Sequence, residues 1–196
     1  MTAPPAPGFF GKVPSHGDFV ARRLPAAFVS VWDGWLQAGL ADSRERLGAD
    51  WLAAYLYSPI WRFALDAGVC GPQAWAGLMM PSVDRVGRYF PLTIGLPLDD
   101  LGLVPDEVWY AGVETLALSG LDPGFSLVAF DAALLALAAP NVHGVPLVPL
   151  VPLVAPAEAA GAGHARFWCD GEAVLTSRGL PAAERFAGML DGAVGF

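Results

Sequence analysis

At 196 residues, 55% hydrophobic and only 15% charged, the chain has the length and apolar content for one domain burying roughly 70% of its unfolded surface, which excludes a wholly disordered protein. Its formal charge of −8, with ten arginines and a single lysine, Lys12, among the basic residues, disfavours nonspecific attraction to nucleic acid or anionic lipid and suits a basic partner surface. MTAPPAPGFF has neither a positive n-region nor an apolar h-region, so a cytoplasmic chain without a signal peptide is expected. Cys70 and Cys169 stand far apart and outside any CxxC, which reads as two reduced, buried thiols.

The first segment, GFFGKVPSHGDFV at residues 8–20, crowds turn formers and charges against aromatics. It reads as an ordered irregular loop in which Pro14 restricts Val13 and Asp18 can accept backbone N–H groups. Pro25 then suits a first helical position, with Phe28, Val31, Trp32, Trp35, Leu36 and Leu40 at helical spacing up to Gly48. Gly34 and Gly39 weaken that helix and suggest a face for close approach. Asp50 is placed to cap a short second helix through Tyr57, ended by Ser58-Pro59.

The period then changes. Residues 60–65, 74–80 and 89–96 read as strands, the first two joined through Asp66, Gly68 and Gly71-Pro72. A helix follows over 105–118, with Asp106 and Glu107 in its first turn, and another over 125–138. Residues 166–169 and 173–176 form a hairpin around Asp170-Gly171, and Pro181 begins a final helix through Leu190. Helices on either side of a strand block predict an α/β protein, a single three-layer α/β/α sandwich with a central mixed sheet, over residues 1–196.

Residues 132–157 carry no charge, yet Pro140, Pro146, Pro149, Pro152 and Pro156 interrupt them, so no continuous helix crosses a bilayer there. Within them VPL occurs three times at 145–153, aligning three prolines on one edge of a polyproline II ridge. An extended or mobile connector over 145–164 is the simpler reading, docking of the ridge in an aromatic groove the alternative.

Motifs for catalysis are absent. GFFGK fails the phosphate-loop pattern, because Ala6 stands at the first glycine position and Val13 follows the lysine. His16, His143 and His164 have no metal-ligand spacing, and the adjacency of Ser15 and His16 is no argument for a nucleophile and base. No catalytic residue, metal or cofactor is therefore expected. The candidate constellation is Lys12, Ser15, His16, Asp18 and Arg22 with Asp84, Arg85 and Arg88, a mixed-charge patch for a partner or, alternatively, a small anion or phosphoryl ligand. A hydrolase using Asp18 and Asp84 as paired carboxylates is a further alternative. A purely structural reading has both acids capping turns, paired with Arg62 and Arg88. Most of the seven tryptophans should be core, leaving one or two as exposed anchors.

GFFGKVPSHGDFV and PSVDRVGRYFPL, with the intervening WLAAYLYSPIWRFAL and GPQAWAGLMM, closely resemble the TagF (ImpM) family of bacterial type VI secretion accessory proteins. The resemblance runs from Gly8 to about Leu98 and resumes at RFWCDGEAVLTSRGLPAAERFAGML. It implies an α/β/α sandwich and a noncatalytic, post-translational repressor of secretion that engages the forkhead-associated scaffold protein and opposes its threonine-kinase activation branch. Some members carry a fused PP2C-type phosphatase, whose Asp-rich metal motifs do not occur in this sequence. No set of contact residues comes with the resemblance; the constellation above rests on its chemistry.

Overall fold

The computed structural model describes residues 6–98, 105–137, 163–169 and 174–192. The VPL repeat and the Asp170-Gly171 turn lie outside them. In chain order the elements are β1 (Gly8–Gly11), β2 (Val20–Arg22), α1 (Ala26–Leu47), α2 (Trp51–Tyr57), β3 (Trp61–Leu65), β4 (Ala74–Met80), β5 (Leu92–Leu98), α3 (Glu107–Ser119), α4 (Leu127–Ala136), β6 (His164–Trp168), β7 (Val174–Arg178) and α5 (Phe186–Leu190).

The strands form one sheet in the order β2-β1-β5-β4-β3-β6-β7. Every neighbouring pair is antiparallel, so the expected mixed sheet is corrected. The physical reason is connectivity. A parallel pair needs a crossover between neighbouring strands, whereas β1–β2, β3–β4, β4–β5 and β6–β7 are each adjacent in sequence and fold back directly.

Several boundaries also move. Residues 8–20 are not wholly irregular: their ends are β1 and β2, pairing Phe9 with Arg22 and Gly11 with Val20. The strand expected from residue 89 starts at Leu92, because Phe90 N–H donates to Ser82 O and Tyr89 bridges Val83 within the preceding loop. Asp50 occupies the N-cap of α2 without a side-chain bond, since a 3-10 turn runs straight into the helix. Asp106 caps α3, accepting Trp109 N–H at 2.9 Å, and Ser126 caps α4. Beyond Pro181 a 3-10 turn precedes α5, which begins only at Phe186.

Alternation along the strands feeds two apolar clusters. Trp75 and Met79 of β4, with Trp61 and Phe63 of β3, pack against Trp32 and Leu36 of α1, Tyr55 of α2 and Phe186 of α5. Leu78 and Met80 face the other way, with Phe9 and Ile94, against Trp109, Tyr110 and Val113 of α3 and Phe130 of α4. Gly39 of α1 sits against the Phe186 ring so closely that a Cβ would overlap it, the close approach expected of that face; Gly34 faces open space.

Six tryptophans are buried and Trp168 is half-buried, so none is the exposed anchor that seven indoles suggested. Several are tethered instead: Trp32 Nε1–H donates to Thr93, Trp35 to the Pro181 carbonyl and Trp61 to the Met189 carbonyl. Cys70 and Cys169 are both buried, and burial pushes the Cys70 thiol up to about 12.

Arg62 is the buried cation of β3. Its guanidinium lies over the Tyr110 ring and reaches Glu107 and Glu114 of α3, each at 2.6 Å. Burial opposes its charge, but the two carboxylates outweigh burial and raise its pKa.

Candidate functional site

The sheet order explains why two loops far apart in sequence meet. β1 pairs with β5, Phe10 opposite Thr93, so the end of β1 and the start of β5 lie at the same end of the sheet. The β1–β2 loop and the β4–β5 loop both leave from that end. Gly11, with φ +144°, makes the junction: a Cβ there would overlap the Pro91 carbonyl and the Leu92 Cα, so this crossing admits no larger residue.

Asp84 is the hub. It is 3% exposed, and its side chain accepts from four donors. Oδ2 takes Lys12 Nζ at 2.7 Å and Arg88 Nε at 2.6 Å. Oδ1 takes the N–H groups of Val86 at 3.0 Å and Arg88 at 2.9 Å, the self-bonded turn that Asp favours. Burial by itself would raise this carboxyl. The Lys12 ammonium and the Arg88 and Val86 donors outweigh it and hold the group well below the usual carboxylate range.

The lock extends on both sides. Ser82 Oγ donates to the Lys12 carbonyl at 2.7 Å, and Tyr55 of α2 donates to Ser82 O while accepting Ser82 N–H. Arg88 also donates to the Gly17 carbonyl, and Arg85 N–H donates to His16 O at 2.9 Å. Sequence reasoning missed Ser82 and Tyr55. A serine before Asp84 gave a local hint; the Tyr55 contact, from a separate helix, left no sequence signal.

The expected residues therefore separate. Lys12, Asp84 and Arg88 form one ion cluster, and Ser15, His16 and Arg85 line the same pair of loops, with Ser15 Oγ 2.8 Å from His16 Nδ1. Asp18 is exposed and accepts Phe19 N–H. Arg22 stands apart on β2, exposed and donating to its neighbour's carbonyl. The structural reading holds for Asp84 and Arg88 but not for Arg62, whose partners are on α3.

Two further features were not anticipated. Arg23, at a positive φ of 57°, donates to the Pro7 carbonyl at 2.8 Å and to Asp131 of α4, fastening β1 and β2 to that helix. Phe19 stacks on Phe10 with ring centroids 5.2 Å apart and meets Phe90 edge-on at 4.9 Å. A separate crevice lined by Pro59, Trp61, Met79, Phe186 and Met189 is almost wholly apolar and includes none of the candidate residues. Among the described residues no three His, Cys, Asp or Glu side chains gather as a metal site, and no helix is long and apolar enough to cross a membrane.

Residues 8–137 match the TagF N-terminal domain, a type VI secretion system-associated family. A solved structure, PA0076 from Pseudomonas aeruginosa PAO1, is similar at 40% identity and a TM-score of 0.80, over 95% of this chain and 94% of that one. No protein of curated function matches the sequence. The family match contains both loops and the whole Asp84 cluster, while β6, which pairs with β3, and α5 lie beyond it.

Proposed function

Because this chain belongs to the TagF family of type VI secretion-associated proteins, we propose that it is a post-translational repressor of type VI secretion. It acts in the cytoplasm by stoichiometric binding: the two-loop end of the sheet occupies a secretion component, the forkhead-associated scaffold protein being favoured, and release permits assembly. The observation that carries this reading is the Asp84 lock inside the family match, which holds two loops in one shape and so presents a preorganised surface. Helices on both faces of the sheet, an α/β/α arrangement, support that surface from behind.

The action is noncatalytic. The four hydrogen bonds accepted by Asp84 support this reading, since a carboxylate committed to them is poorly suited to acid–base work with Asp18. Deleting the gene should raise secretion, and affinity capture from the native bacterium should recover a secretion component. Unchanged secretion under both inducing and noninducing conditions, with clean capture of no such component, would refute the proposal.

One observation favours a second reading, a sensor of small anions: the exposed Arg85 guanidinium has no hydrogen-bonding or ionic partner among the described residues. Titration of the purified protein with inorganic phosphate and nucleotides separates the two, since a pure binding module takes up neither.

A further inference from the structure

The sign of the docking surface runs against that of the whole chain, and we propose that the two-loop end of the sheet recognises an acidic segment flanked by apolar residues, with Arg85 as the carboxylate-binding group. This rests on the preceding reading only in taking that end as the docking surface. The two loops carry Lys12, Arg85 and Arg88 against the acids Asp18 and Asp84, which leaves one net positive charge there in a chain of formal charge −8. Complementarity therefore calls for an acidic partner at this end, not the basic one suggested by overall composition.

The charges are unequal in availability. Lys12 and Arg88 are both ion-paired to Asp84, which leaves one surplus positive charge on the lock but commits both head groups to it. Arg85 is exposed and stands over Gly17, where a Cβ would lie 3.4 Å from its Nη2. Its own backbone N–H is fixed on His16 O. The backbone that carries the planar fork is thus fixed and the fork itself is open, which suits bidentate carboxylate capture.

Apolar groups accompany it. Val86, the next residue, is 65% exposed, and Phe19 is 42% exposed although its ring is gripped by Phe10, Phe90 and the Lys12 ammonium 5.0 Å away. A rigid half-exposed aromatic two residues from Gly17, over which the open Arg85 stands, gives this end the composition of an interface hot spot. Asp18 is the opposing group, an exposed carboxylate on the same loop, and it gives the proposal a signed test.

The full chain is titrated with short end-blocked peptides bearing a Leu-Glu-Glu-Phe core, and with the same peptides carrying Gln or Lys in place of Glu. The acidic peptide should bind about 10-fold tighter than the Gln peptide and weaken as salt rises. Arg85→Ala, checked by its melt, should abolish that preference, Asp18→Asn should strengthen it, and Arg46→Ala on α1 should leave it unchanged. No detectable binding, equal affinity for the Glu and Gln peptides, acid preference surviving Arg85→Ala, or displacement of the peptide by equimolar inorganic phosphate would each overturn the proposal. Its failure is distinguishable from that of the repressor reading: capture of a secretion component unaffected by Arg85→Ala removes only the acidic recognition, whereas peptide selection with unchanged secretion on deletion removes only the repressor.

Discussion

The two ion clusters are inversions of one another. At the end of the sheet one acid, Asp84, is held by two bases; on the face of the sheet one base, Arg62, is held by two acids. The difference lies in what surrounds the hub. Asp84 and Lys12 are both buried, so neither can turn to water if the other is lost. Around Arg62 the carboxylates are graded: the Glu107 side chain is 80% exposed and that of Glu114 only 19%. The first cluster fastens loop to loop, and the second fastens a helix that already has an apolar face. Their residual charges also differ in sign, which is why the net charge of the chain misreports the end of the sheet.

The sharpest way to break this comparison is Asp84→Ala. It strands Lys12 and frees both loops, and Tm should fall by about 10 °C. The effect should depend on pH with a definite sign. Asp84 is depressed in the folded protein, so its contribution is complete above the unfolded carboxylate value of about 4 and is lost as pH falls from there toward its folded value. Melts from neutral to acid pH should show the wild type and the variant converging below about pH 4. A constant gap would mean that the side chain acts by packing alone.

Arg62→Leu should cost less, about 2 kcal/mol, because both glutamates can relax toward solvent and leucine replaces part of the apolar stem. Denaturant unfolding measures this directly, and a loss exceeding that of Asp84→Ala would reverse the ranking of the clusters. The smallest effects should separate the two acids. Glu107→Gln should change stability by less than about 0.5 kcal/mol and Glu114→Gln by about 1 kcal/mol; equal losses would show that exposure does not grade them.

Periodicity made much of the architecture readable. Trp32, Trp35, Leu36 and Leu40 marked the buried side of α1, and the aromatic run at residues 61–65 marked β3. Sheet direction was not legible, since strand patterning is a property of faces and the same β4 pattern serves either pairing. β1 and β2 were hidden because GFFG and VAR are too short to establish alternation. In the candidate site, Asp84 and Arg88 were legible through i,i+4 proximity in one loop. Their link to Lys12, 72 residues away, depends on β1 lying beside β5. Arg62 was paired with the wrong acids for the same reason: its partners are fixed by where α3 crosses the sheet, which local spacing does not encode.

Lys12 is the only lysine in the chain, and its ammonium is enclosed between Asp84 and the Phe19 ring. The folded protein therefore presents no lysine side-chain amine to acylating reagents, to lysine-directed cross-linkers or to enzymes that modify that residue. Acylation at Lys12 must wait for the loops to separate. When reagent attack is slow compared with reclosing, the ratio of its rate to that of an exposed amine gives the equilibrium opening of this end of the sheet, a local stability read at one nitrogen atom.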